Sequence, residues 1–173
     1  TGMIGFGVGY DDYYWPIVAY IRDAQKRSKA AARAPAGNIA RGHELFKKNK
    51  CAICHWVDGK GGRLGTNLTA HTATADYIRE SLRDPNSQID GSYQLVQVMD
   101  NIGRSVRGRR LDENSYSILL MDHQENFHII DKTKKGLRIA RPDVSIMPNF
   151  KDHLTEQDVE DVTTYVYSLR KVE

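Results

Sequence analysis

The sequence is poor in cysteine, in net charge and in long apolar runs. No segment approaches the roughly 20 apolar residues that a membrane helix requires, so we predict no transmembrane segment in this chain. The formal net charge of the 173 residues is only +3. That charge is too small to argue for a nucleic-acid partner. The length allows one domain with an extension, or two small units, around a modest core.

The two cysteines form a Cys-x-x-Cys pair, Cys51 and Cys54, and His55 follows directly. Such a pair alone is compatible with a redox dithiol or with half of a zinc site. A structural zinc site needs two further ligands at close spacing, and the next histidine, His71, has no ligand-type partner nearby. A redox dithiol would follow a strand, whereas a lysine-rich helical pattern precedes Cys51. The motif therefore favours one covalently attached c-type haem, with His55 as an axial iron ligand.

The residues on both sides of this motif resemble those of class I cytochromes c. Residues 40–46 match the family's N-terminal helix, with Gly42 and Phe46 four residues apart on one face. Residues 61–68 resemble the loop that passes beside the proximal histidine. The family usually has proline where Thr66 stands, and the carbonyl of that residue accepts a hydrogen bond from Nδ1 of the histidine. Because Thr66 also has a carbonyl, we expect this hydrogen bond to form.

The second axial ligand has to be chosen among the methionines. Met147 is followed by Pro148 and lies in a short irregular stretch before a helix, which is similar to the family's distal-methionine loop. Met99 and Met121 fall in strand-like runs, where a buried methionine usually fills the core. The resemblance thus implies Met147 as the second ligand, and His153 is the first alternative. The remaining histidines are more typical of surface or capping positions, and they are His43, His71, His123 and His128.

Three helices are expected to enclose the haem. Residues 74–83 read as a helix that Pro85 ends. Thr155 and Asp158 form a capping box at the start of a C-terminal helix, and Tyr165 stands where the family packs an aromatic residue against the N-terminal helix. The apolar residues of this last helix repeat at three and four positions, and they are Val159, Val162, Val166 and Leu169.

An additional β-rich segment lies between the haem motif and Met147, at about residues 92–145. Its runs are separated by turn-type clusters, and they span 93–99, 104–111, 115–121 and 126–130. The segment resembles an insertion in haem-binding domains of some bacterial dehydrogenase-associated cytochromes. It would either cover a haem edge or form a docking face for a partner. The predicted fold is therefore mainly α, a class I cytochrome c with a small antiparallel β insertion.

The start of the chain contains a possible internal repeat. Met3 precedes Tyr20 by 17 residues, and Met147 precedes Tyr165 by 18 residues, with similar residues around both methionines. This segment is interpreted as the end of a preceding cytochrome c domain, as a remnant that acts as a packing helix, or as an ordinary amphipathic helix. We divide the chain into residues 1–37, which end in an alanine-rich linker, and a cytochrome c domain at 38–173. We expect one face of the first helix to be covered, namely Tyr14, Val18 and Ile21.

Basic residues are concentrated between positions 22 and 50, where only Asp23 and Glu44 are acidic. This segment is either a solvated helical face or a docking patch for an acidic partner. Its members are Arg22, Lys26, Arg27, Lys29, Arg33, Arg41, Lys47, Lys48 and Lys50.

The expected function is single-electron transfer by a His/Met-ligated haem c, not catalysis. The redox partner would be a membrane-associated complex of the dehydrogenase, oxidase or photosynthetic reaction-centre type, in which this chain would act as carrier or subunit. The alternatives are a haem enzyme of the peroxidase type or a gas-ligand sensor, both of which need an open iron position, and a structural subunit in which the haem only stabilises the fold. Because haem c is attached outside the cytoplasm, we expect a periplasmic or other extracytoplasmic location in a bacterium, with a leader already removed.

Overall fold

The computed structural model describes residues 14–23, 34–71 and 73–170. The chain divides into two units, Thr1–Ala34 and Pro35–Glu173. In the first unit, residues 14–23 are helical (α1). Ile21 is 49 % exposed, and Tyr14 and Val18 are half-buried. The expected cover of this face therefore stays a prediction, and Met3 lies outside the described residues.

Three helices of the second unit begin at side-chain caps. They are α2 at Ile39–Lys48, α3 at Ala75–Arg83 and α4 at Glu156–Ser168. Asn38 caps α2 and Thr74 caps α3, each by accepting a hydrogen bond from a backbone N–H of the first turn. At α4, Thr155 and Asp158 form the expected capping box, with both reciprocal hydrogen bonds present.

Helices α2 and α4 cross at a glycine. A Cβ atom on Gly42 would lie 2.0 Å from the carbonyl oxygen of Asp161, so only glycine permits this approach. Next to the crossing, the rings of Phe46 and Tyr165 meet edge to face with centroids 5.3 Å apart. The prediction for Gly42, Phe46 and Tyr165 is confirmed.

The buried side chains of the helices form one apolar cluster. It includes the predicted valines of α4, and its members are Phe46, Leu68, Ile78, Leu82, Val159, Val162 and Val166. Leu68 belongs to the same cluster and lies in the loop that follows the Cys-x-x-Cys-His motif. In that region Trp56–Val57 (β1) and Lys60–Gly61 (β2) form a two-stranded hairpin.

The segment between α3 and α4 folds into a five-stranded antiparallel sheet. Its strands are β3 at Leu95–Met99, β4 at Ser105–Glu113, β5 at Ser117–Met121, β6 at Phe127–Asp131 and β7 at Arg138–Ala140. The order across the sheet is β6-β5-β4-β3-β7. The first four strands are those that the sequence predicted. The fifth strand, β7, was missed because three residues are too few to show an alternating pattern.

The predicted fold class is wrong, because the domain is not mainly α. Of the described residues, 33 % are helical and 22 % are in strands. The sheet also has an apolar core of its own, in which Val96, Ile118 and Leu120 have no exposed surface. These residues alternate along β3 and β5 and share one face, which Leu137 also contacts. With this strand content and a separate sheet core, the class is mixed α and β.

Candidate functional site

The Cys-x-x-Cys-His motif forms a single turn directly after α2. Cys51–Ile53 is a 3-10 helix, and the N–H of His55 donates to the carbonyl of Cys51 at 3.0 Å. The turn begins at Lys50, whose φ of 56° lies in the left-handed region. This reversal brings Cys51, Cys54 and His55 to the wall of one cavity.

The imidazole of His55 is oriented by the loop that follows. Its Nδ1 lies 3.0 Å from the carbonyl oxygen of Thr66, so the hydrogen bond expected at this position is confirmed. Because a carbonyl only accepts, Nδ1 carries the proton and Nε2 keeps its lone pair. Burial lowers the pKa of His55, while the hydrogen bond to Thr66 acts in the opposite direction. The ring is therefore neutral at neutral pH and can act as a ligand through Nε2.

Two glycines let this loop lie against the motif. A Cβ atom on Gly62 would lie 1.8 Å from the carbonyl oxygen of Ile53, and one on Gly65 would lie 2.9 Å from the ring of His55. The N–H of Gly65 donates to the carbonyl of Cys54 at 2.7 Å. The position of the Thr66 carbonyl thus depends on backbone contacts between the loop and the motif.

The cavity has a volume of about 210 Å³. Met147 lines it together with both thiols and His55, and Met147 is the only one of the described methionines that does so. Helices and loops supply its apolar wall, which includes Leu64, Leu68, Ile78, Leu82, Ile146, Val162 and Val166. All four predicted site residues are thus brought to the same cavity.

Two successive hydrogen bonds, which the sequence did not reveal, hold the Met147 loop. The N–H of Met147 donates to Oγ of Ser145 at 3.0 Å, and the N–H of Ser145 donates to Oδ1 of Asn86 at 2.8 Å. Asn86 follows Pro85, a pair that is typical of a turn. That signal marks a loop but gives no information about a partner 59 residues away.

The protonation of the thiols distinguishes this pair from a reactive dithiol. Burial raises the pKa of Cys51 to about 11. Burial, together with the negative charge of Glu125, also raises the pKa of Cys54. Reactive dithiols instead have a cysteine of lowered pKa, because the thiolate is the nucleophile. The electrostatics therefore disfavour the redox-dithiol interpretation.

Other candidate ligands are engaged elsewhere or exposed. His71 lines the cavity, but its Nε2 lies 3.2 Å from the carbonyl of Val166 and its Nδ1 accepts from the N–H of Ala73. His153 is exposed. Across the described ranges, no group of three or more His, Cys, Asp or Glu is placed to hold a metal ion. A zinc site at Cys51 and Cys54 thus lacks further ligands there.

The basic segment 22–50 is only partly described. Arg41 forms ion pairs with Asp158 and Asp161, so it joins α2 to α4. Lys47 pairs with Glu44 at 2.8 Å on the surface. Lys48 and Lys50 are exposed. Four of the predicted members lie outside the described residues, and they are Lys26, Arg27, Lys29 and Arg33.

The Cytochrome c family model matches residues 39–170, and the chain belongs to the cytochrome c family. Proteins of this family are haem-based electron carriers, so haem c is the implied cofactor. The residues present fit that group, because two protonated thiols, a neutral imidazole and a thioether line one largely apolar cavity. No curated protein sequence matches the chain. Among the described helices, none has the length and apolar character needed to cross a membrane.

Proposed function

We propose that this chain carries single electrons through one haem c, bound covalently by Cys51 and Cys54 and ligated by His55 and Met147. One observation carries the proposal. The four side chains line the same cavity, and the only other ring nitrogen of His55 is already bonded to Thr66. When bound, the haem supplies a reversible one-electron change at its iron.

The residues of the chain supply attachment, orientation and exclusion of water. Thioethers at Cys51 and Cys54 would fix the cofactor to the turn after α2. The hydrogen bond from His55 to Thr66 holds the imidazole plane and increases the basicity of Nε2. Ser145 and Asn86 hold Met147 at the cavity. Ligation by histidine and methionine favours a high reduction potential.

A haem enzyme or a gas-ligand sensor would need an open position on the iron. Met147 disfavours this alternative, because its side chain lines the cavity and its loop is held by two successive hydrogen bonds. The proposed role is therefore carrier, not catalyst.

The proposed partner is a membrane-associated redox complex at the extracytoplasmic face of a bacterial membrane. Exposed lysines next to the haem motif, Lys47, Lys48 and Lys50, support docking to an acidic surface on that partner. Electron transfer should then slow as salt rises, because screening at 0.1 M acts over about 10 Å. A rate independent of ionic strength would contradict this docking mode.

Met147→Ala tests the ligand assignment. We expect it to open the sixth position, to lower the reduction potential and to admit carbon monoxide or cyanide much faster than in the wild type. Absorbance spectroscopy and redox titration would measure these changes, after the intact mass has shown one covalent haem per chain. Met99→Ala is the matched control, since Met99 is 36 % exposed on β3 and does not line the cavity. Unchanged spectra and potential in Met147→Ala would exclude Met147 as the second iron ligand and make His153 the next residue to test.

A further inference from the structure

Two side chains of the sheet hold the backbone of one residue in the loop beside His55. The carbonyl of Arg63 accepts a hydrogen bond from Nη1 of Arg109 on β4 at 2.9 Å. The N–H of Arg63 donates to Oε1 of Glu125, in the turn between β5 and β6, at 2.6 Å. Both backbone groups of Arg63 are thus satisfied by residues distant in the chain.

Arg109 is itself fixed by further contacts. Its Nε donates to the carbonyl of Ser92 at 2.9 Å, and its guanidinium lies 3.9 Å from the centroid of the Tyr93 ring. Nη1 also lies 3.5 Å from the carbonyl oxygen of Leu64. The planar fork of arginine makes these contacts in different directions at once, which a lysine ammonium on its flexible stem cannot reproduce.

The loop from Arg63 to Thr66 lacks the proline that would restrict its backbone, so contacts from other parts of the chain have to hold it. Thr66 lacks the ring that would fix φ near −65° at a proline, and its carbonyl is the acceptor that orients His55. Arg63 lies three residues before Thr66, and Gly65 between them donates to Cys54. A shift at Arg63 would therefore be transmitted to the Thr66 carbonyl over a very short stretch of backbone.

We propose that the β-sheet positions the proximal ligand, with Arg109 as a positioning residue that acts through Arg63 and Thr66 on His55. Glu125 acts together with Arg109, and we call these two side chains the clamp. This role of the sheet differs from covering a haem edge or docking a partner. It rests on the proposed ligation of haem iron by His55.

Arg109→Lys is the deciding variant, because it keeps the positive charge and removes the fork. Arg107→Lys is the matched control, since Arg107 is exposed on the same strand and the same face, two residues away. The holoprotein is first shown to carry covalent haem. The measurements are hydrogen exchange at Gly65 N–H and His55 Nδ1–H by NMR in the reduced state, and the midpoint potential.

In Arg109→Lys we expect about tenfold faster exchange at both sites. A tenfold change corresponds to about the net free energy of one hydrogen bond. The potential should rise, because a weaker hydrogen bond at Nδ1 makes His55 a less basic ligand. Arg107→Lys should match the wild type in both measurements. Glu125→Asn, which keeps a residue tolerant of the positive φ at this turn but shortens the side chain, should change exchange in the same direction.

Wild-type exchange and potential in Arg109→Lys would overturn the proposal. An equal shift in Arg107→Lys would also overturn it, because that result would indicate a general effect of the sheet surface. Absence of covalent haem from the wild type would contradict the proposed function instead. Exchange at Gly65 would still decide the clamp in that case, since it reports on the backbone alone.

Discussion

The helices and the sheet of the second unit bury their apolar residues in different ways. The helical cluster surrounds a cavity whose wall includes Leu68, Leu82 and Val166. The sheet has an apolar core of its own, in which Val96, Ile118 and Leu120 are fully buried. The packing of the helices therefore depends on the group that fills the cavity, whereas the sheet provides a fixed surface beside it.

The largest effect should come from removing both attachment points. In Cys51→Ala with Cys54→Ala, haem resistant to acid acetone should be lost, and the helices should fail to fold, because they pack around the cavity and not only on one another. Far-UV circular dichroism should show loss of helix, while NMR amide protection persists at Ile118 and Leu120 in the sheet. Recovery of a folded, haem-free double variant would contradict this dependence.

A smaller effect should come from a substitution in the core of the sheet, which should destabilise the sheet and leave the helices unchanged. Leu120→Ala removes a side chain with no exposed surface, and such changes cost about 2–5 kcal/mol of the free energy of unfolding. Denaturant titration should show the sheet unfolding earlier, with the haem spectrum unchanged below that transition. Ile129→Ala is the control, since Ile129 is 79 % exposed on β6, and it should change stability by no more than about 0.5 kcal/mol. Equal costs for the two variants would show that the sheet has no core of its own.

The smallest of these effects concerns pH and again acts on the sheet. Hydrogen bonds from Lys132 and Arg141, with a weaker contribution from Arg110, lower the pKa of Glu113 to about 2. A lowered pKa in the folded state stabilises the protein above the unfolded value of 4.5, and this contribution is lost as pH falls from there toward 2. After allowance for solvent screening we expect about 1–2 kcal/mol.

Glu113→Gln should therefore lower the free energy of unfolding at neutral pH and flatten its decline between pH 5 and pH 2. Chemical denaturation across that range would measure both changes. The control is Glu44→Gln, which removes an exposed carboxylate that forms an ion pair with Lys47. An acid decline as steep in Glu113→Gln as in the wild type would rule out this cluster as its source.

Local signals in the sequence predicted most of the helical frame. The capping residues Thr74 and Thr155 have side chains that bond within their own first turn, so they are visible in a short window. The roles of Gly42 and Phe46 at the helix crossing were implied by the resemblance to class I cytochromes c, and their four-residue spacing agrees with it. The hydrogen bond at Thr66 was implied by the same resemblance, and it does not need the family's proline because any residue there supplies the carbonyl.

Most strands of the sheet were predictable, but the share of the fold that the sheet makes up was not. The four predicted strands agree with the observed ones within two residues at each end, because alternation and turn clusters are also local. Strand β7 was missed because three residues are too few to show alternation and because its pairing with β3 joins segments about 40 residues apart. Arg109 and Glu125 were missed for a related reason. Their partner is the backbone of Arg63, which carries no side-chain signal.

The strand order has a consequence for how this segment sits in the chain. Because β7 pairs with β3, the chain enters and leaves the sheet on adjacent strands, with Gln97 opposite Ala140 near the end where it enters and leaves. Just outside these two ends, Asn86 and Ser145 are joined by a hydrogen bond. The two ends of the segment between Asn86 and Ser145 therefore lie close together. The segment can change in length without moving the residues that precede and follow it. Insertions at the β3–β4 turn, where a Cβ atom on Gly103 would meet no other atom within 4 Å, should leave Met147 in place.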